Sequence, residues 1–336
     1  MKLKAKSMIW ASIIIVVALL AGFWWVFWEK SPKADKIESI PIAMALDDEY
    51  TYPTIVAITS VMENKNPETK YDFYIMHPSE FREENKEKLR SLSSKYEGCA
   101  INLIDMADKY VSANQNGLIT TPAYYRLALS DTLPDIDKII WLDSDTLTFT
   151  DLTGMYNINM RSRYYDGFLD YPGQDEFAPM NDHYICSGVM LVNLKSLRND
   201  GVTAKFDKFI ERNNDKLAKH DQTIINAICG VKNGVLPAKY GIFNSFRTTE
   251  AAKAYHDILN AKNKYSREEL AEAFEHPAVL HVTYKPWKSS EEYAGDKWWS
   301  YAEKTNFYDE IRQKYSMAFE KQDDEESEIE LGEVEE

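Results

Sequence analysis

The sequence predicts an α/β fold, a mostly parallel central sheet with helices on both faces, preceded by one membrane-spanning helix. Three observations predict it. Apolar runs alternate with helix-like segments from Ile40 to Leu142, the pattern of a sheet covered on both sides. One such run, Ile139-Ile140-Trp141-Leu142, stops abruptly at Asp143-Ser144-Asp145, and open α/β sheets bind ligands just beyond their strand C-termini. Ahead of them lies Met8–Trp28, a run without a single charge.

Residues 40–46 read as a first buried strand ending in Asp47-Asp48-Glu49-Tyr50, with a helix following over about 53–64. A second strand covers 71–76, a charged helix runs from Ser79 to about Tyr96, and a third strand covers 100–104. A helix over 121–131 leads into the strand before Asp143. The second half is less regular. It offers an apolar run over 188–194, an amphipathic helix from about Ser196, and a polar helix from His220 to a Gly230 cap. Residues 250–275 look helical, and a late strand over 278–282 precedes Lys285-Pro286-Trp287.

At about 1.5 Å per residue, 8–28 spans roughly the 30 Å of a bilayer core. Lys2, Lys4 and Lys6 precede it, which keeps the N-terminus cytoplasmic and sends the rest of the chain across the membrane. The expected layout is therefore a tail (1–7), an anchor (8–28), a polar stem (29–39), a main α/β domain (40–320) and a C-terminal tail (321–336). The chain is then a single-pass membrane protein with its main domain extracytoplasmic, in the Golgi or ER lumen if the source is a eukaryote. The last fifteen residues hold nine acids and no base, and without them the net charge falls from −15 to −6. That segment reads as a solvated, disordered end. An acidic chain with no basic stripe is a poor nucleic-acid binder. Cys99, Cys186 and Cys229 have no metal-ligand spacing and suggest no disulfide framework, leaving room for at most one bridge. Neither G-x-G-x-x-G nor G-x-x-x-x-G-K is present, so no Gly-rich phosphate loop is expected.

Beyond a strand end, Asp143 and Asp145 can reach one hard cation and the phosphate oxygens it binds. Alone, an Asp-x-Asp reads more readily as a turn cap beside a solvated acid. The order of motifs adds more. Asp47-Asp48-x-Tyr50, Thr121-x-x-Tyr124-x-Arg126, Asp143-Ser-Asp145, Ser187-Gly188-Val-Met-Leu-Val-Asn193, Asp221-Gln222 and His281-x-x-x-Lys285-Pro-Trp287 follow one another. This set resembles glycosyltransferase family 8, which includes bacterial lipopolysaccharide galactosyl- and glucosyltransferases and glycogenin, over about residues 40–290.

The resemblance implies a GT-A fold and retaining transfer of a hexose, glucose or galactose, from a UDP-sugar to a glycan, glycoprotein or glycolipid. The implied cofactor is Mn²⁺ (or Mg²⁺), held by Asp143, Asp145 and His281. Ala45, Asp47 and Tyr50 would hold the nucleoside, with Ser144 also on the nucleotide. Arg126 would lie over the donor sugar and its phosphate. Asp221 would accept from sugar hydroxyls, Gln222 would sit near the anomeric carbon, Asp170 would face the acceptor, and Lys285 would neutralise the leaving UDP. Asp221, Gln222 and Lys285 are the expected catalytic residues.

The chain departs from the family pattern twice. Cys186-Ser-Gly188-Val stands where many relatives carry Asn-x-Gly-Val with a donor-sugar contact, and His281-Val-Thr-Tyr-Lys285 lacks a Gly and is short. Two other readings therefore accompany the main one. A catalytically weak or dead relative would bind sugar nucleotide or glycan only. A haloacid-dehalogenase-type phosphatase would use Asp143-Ser-Asp145-Thr146 as its D-x-D-x-T signature.

Overall fold

A computed structural model describes residues 38–115, 120–173, 175–177, 183–259, 264–288 and 294–315. The expected anchor at 8–28, most of the stem and the acidic tail lie outside them. Among the described residues no helix is long and apolar enough to cross a membrane.

The first half alternates as its apolar pattern dictates. Strand β1 (Ile40–Ala45) leads through a helical turn to α1 (Thr51–Glu63), then β2 (Tyr71–His77), α2 (Glu83–Lys95), β3 (Cys99–Asp105) and β4 (Ile139–Leu142). β3, β2, β1 and β4 lie side by side and parallel, with Ile42 opposite Phe73 on one flank and Ile140 on the other. Successive side chains of a strand point to opposite faces. Accordingly Ile42, Met44 and Leu142 pack under α1 and α2, while Ala43, Ile139 and Trp141 pack on the other face with Tyr124 and Ile224.

The second half changes the sheet from mostly parallel to mixed. After β5 (Thr146–Thr148) and β6 (Tyr165–Leu169), β7 (Ile185–Val192) inserts antiparallel between β4 and β6, and β8 (Gly234–Val235) closes the edge beside β6. Helices α3 (Val202–Asn213) and α4 (His220–Cys229) cover this half, and α4 contributes Ile224 and Ile225 to the core. A second sheet, absent from the sequence reading, orders β5, β10 (Val279–His281) and β9 (Tyr240–Phe243). α1 is buried nearly all round because it lies between the sheets. Its Ile55 and Ile58 join the large sheet's core and its Val56 joins Leu147 and Leu280 of the small one.

Three helix expectations shift. The 121–131 segment is a 3₁₀ helix at Thr121–Ala128 with only a short α-helical turn after it. The charged helix opens at Glu83 rather than Ser79, whose hydroxyl donates to Asp105 at the end of β3. The 250–275 stretch is two helices, α5 (Thr249–Leu259) and α6 (Arg267–Glu275). Ser266 caps the second by accepting from the Glu269 N–H, a local signal legible in Ser-x-x-Glu.

Candidate active site

The Asp143-Ser144-Asp145 tripeptide is where the chain leaves one sheet and enters the other. Asp143 still pairs with the large sheet through its N–H to Gly188 O (2.8 Å), whereas Asp145 O already accepts from Val282 N beside β10 (2.7 Å). Between them the Ser144 hydroxyl donates to Ala45 O (3.1 Å) and pairs with the Thr54 hydroxyl (2.7 Å). Ser144 thus ties the ends of β1 and β4 to α1.

Each carboxylate meets a different set of cations. Arg126 is 5% exposed, lies 4.5 Å over the Trp141 ring and places Nη2 2.8 Å from Asp143 Oδ1. The Trp141 indole N–H donates to the same oxygen at 2.8 Å. Arg126 also donates to the Ser187 and Ala123 carbonyls, and its Nε lies 3.1 Å from Asp221 Oδ2. The Nε hydrogen points at Ala123, so Asp221 Oδ2 is buried with an ionic neighbour but no hydrogen bond among the described residues. An acceptor in that state is open to a hydroxyl or N–H donor.

Asp145 faces the other way. Lys285 Nζ donates to its Oδ2, and His281 Nε2 lies 3.3 Å from its Oδ1 and 3.9 Å from Asp143 Oδ2. Burial opposes ionisation of Asp145, but Lys285 and His281 outweigh it and hold the carboxyl well below the usual range. Burial likewise disfavours charge on His281, and Asp145 reverses that and raises it well above an ordinary histidine. At Asp143 burial prevails over Arg126, and the carboxyl is raised.

One ligand atom each from Asp143, Asp145 and His281 lies within 4.8 Å of the others. Two carboxylate oxygens and an imidazole nitrogen so placed can hold a divalent metal ion. Gly188 makes this packing possible, because a Cβ there would stand 2.2 Å from His281 Cε1.

The remaining expected residues fall into two groups beside this triad. At the end of β1, Asp47 caps the following turn by accepting from the Glu49 and Tyr50 N–H groups, and its second oxygen accepts from Thr120. Half-buried Ala45 and Tyr50 adjoin it, with Tyr50 edge-on to Trp287 at 6.3 Å. On α4, Gln222 Oε1 accepts from Ser187 N (3.1 Å) and Nε2 donates to Asp170 Oδ2 (2.8 Å). Asp170 is saturated further by Lys219, the Tyr255 hydroxyl and the Tyr171 N–H.

Sequence reading placed Trp141 in a buried strand, where it is, but missed its indole bond to Asp143 and the organising role of Cys186, Ser187 and Gly188. Ser187 holds Gln222 through its N–H and Arg126 through its carbonyl, backbone functions that no side-chain motif announces. Tyr184 and Tyr255, which reach Gln222 and Asp170, were likewise invisible in sequence.

The family model for "Glycosyl transferase family 8" matches residues 41–291. General stress protein A of Bacillus subtilis is 26% identical over 269 residues, 76% of this chain and 90% of its own length. The lipopolysaccharide 1,2-glucosyltransferase of Escherichia coli is 25% identical over 232 residues, 66% of this chain and 68% of its own. Among solved structures, the galactosyltransferase LgtC in complex with donor and acceptor sugar analogs superposes with a TM-score of 0.64 at 21% identity. That match covers 80% of this chain and 96% of LgtC, a likeness of GT-A-like fold.

Proposed function

Because the chain belongs to glycosyltransferase family 8, we propose that it is a divalent-metal-dependent retaining hexosyltransferase. It takes glucose or galactose from a UDP-sugar to a glycan, glycoprotein or glycolipid, and is held to a membrane through residues 8–28 with its catalytic domain extracytoplasmic. The observation that carries the reading is the triad of Asp143, Asp145 and His281 at a strand end, flanked by Arg126 on one side and Lys285 on the other. The names of two relatives, a glucosyltransferase and a galactosyltransferase, support a hexose donor. The family membership leaves no room for the phosphatase reading of Asp143-Ser-Asp145-Thr146.

When bound, the ion supplies Lewis-acid neutralisation of the diphosphate. The chain's own residues do the rest. Lys285, freed from Asp145, meets the charge that grows on the leaving phosphate as the C1–O bond breaks and its electron pair passes to UDP. Arg126 stays where it is, fixed by two carboxylates and Trp141. Asp221 Oδ2 accepts from a donor hydroxyl. The acceptor hydroxyl attacks C1 from the face that UDP leaves, and its proton goes to the departing phosphate oxygen. A covalent glycosyl-enzyme needs a free carboxylate near C1. Gln222 is an amide, and its neighbour Asp170 already accepts from Gln222, Lys219, Tyr255 and the Tyr171 N–H. Retention without a covalent intermediate follows.

The test is a screen of UDP-sugars for UDP release with Mn²⁺ and with chelator, followed by proton NMR of the first product. Metal-dependent release and an α-linked product are expected. A β-linked product would overturn the mechanism, since inversion needs a general base opposite the leaving group.

A further inference from the structure

His281 has two ring nitrogens with different neighbours. Nε2 faces Asp145 Oδ1 at 3.3 Å and Asp143 Oδ2 at 3.9 Å, and Nδ1 faces the sulfur of Cys186 at 3.7 Å. For Nε2 to offer a lone pair to a cation, the proton must reside on Nδ1, and a ligating histidine normally donates that proton to an oriented acceptor. In most such sites the acceptor is a carboxylate, carbonyl or water. Here it is a buried thiol, 7% exposed, whose sulfur is itself held by the Gly188 N–H at 3.4 Å. The sulfur falls outside the group of ligand atoms within 4.8 Å, so it is not a fourth ligand.

We infer that Cys186 is a positioning residue that fixes the ring orientation and Nδ1–H tautomer of His281 for the metal site. The same strand segment then sets several arms of the centre. Cys186 orients His281, Ser187 holds Gln222 and Arg126, and Gly188 pairs with Asp143 while leaving room for the His281 ring. Cys186 stands where the family pattern carries an Asn that touches the donor. In this chain the side chain at that position is spent on the histidine instead. The inference rests on reading Asp143, Asp145 and His281 as a metal site, and the test separates the two.

The full-length protein, its Cys186→Ala and Cys186→Ser variants, and His281→Gln are compared in two measurements. Mn²⁺ binding to the metal-free proteins is followed by electron paramagnetic resonance. With ¹⁵N-histidine labelling and Mg²⁺ as the diamagnetic probe, the His281 signal is assigned by its loss in His281→Gln. The wild type should show a protonated Nδ1. Cys186→Ala should lose Mn²⁺ affinity by about 10-fold or more, the usual cost of removing a partner behind a metal ligand. Its melting temperature should be close to wild type and its His281 signal shifted, and Cys186→Ser should recover part of the affinity. Equal Mn²⁺ affinity and an unchanged His281 signal in Cys186→Ala overturn the positioning role and leave the metal site standing. Absence of Mn²⁺ binding in the wild type overturns both.

Discussion

Asp143 bonds through its N–H to the seven-stranded sheet and Asp145 through its carbonyl to the chain beside the three-stranded one, although a single residue separates them. Around Asp143 the cation is Arg126, planar, buried, stacked on Trp141 and shared with Asp221. Around Asp145 it is Lys285 on a flexible stem, with His281 from β10. The first arrangement is permanent, because a buried guanidinium does not lose its proton and has no water to retreat to. The second is exchangeable. Both of its positive charges can give way to a divalent ion, His281 by losing a proton and Lys285 by swinging aside. One side of the site is thus part of the fold, and the other is built to be occupied.

Removing the permanent cation should have the largest effect. Arg126→Ala leaves Asp143 and Asp221 buried without it, so unfolding in urea should show a loss of about 3–5 kcal/mol along with all activity. A loss under about 1 kcal/mol would erase the distinction between the two sides. Lys285→Ala should instead lower turnover about 10²-fold, as for one preorganised electrostatic donor, while Mn²⁺ binding persists. Its melting curve, taken beside the kinetics, should stay close to wild type. Gly188→Ala tests the seam between the sheets. The added methyl displaces the His281 ring, so an overpacking cost of about 1–3 kcal/mol and weakened Mn²⁺ binding are expected, the latter read by calorimetry.

A smaller effect lies in pH. His281 is raised in the metal-free fold because Asp145 outweighs its burial. Its contribution to stability is therefore full below an unfolded value of about 6.5 and fades as pH rises through the higher folded one. Asp145 is lowered, so its contribution is present above about 3.9 and lost only in strong acid. With chelator present, the melting-temperature gap between wild type and His281→Gln should narrow from about pH 6 to about pH 9. Mn²⁺ affinity should move oppositely and strengthen with pH, because binding displaces the same proton. A gap that widens with pH would place the charge elsewhere.

What the sequence determined by itself was the regular half and the polar residues that gather at the strand ends. Buried parallel strands are continuous apolar runs, so β1 to β4 were readable. Asp143, Asp145, Arg126, Asp221, Gln222, His281 and Lys285 were readable because each sits in a short ordered motif of the family. β5, β8 and β9 are too short, at two to four residues, to show a periodicity, so the strand read at 278–282 had no visible partners and the second sheet stayed hidden. Tertiary structure alone decided which charge meets which. It put Arg126 on Asp143 and Lys285 on Asp145, satisfied Asp170 through four donors, and turned Cys186 from a departure in a motif into a neighbour of His281. Those pairings join residues as much as 140 positions apart. Local sequence fixes which groups a strand end can offer, and only the closing of two sheets around it fixes the partners they find.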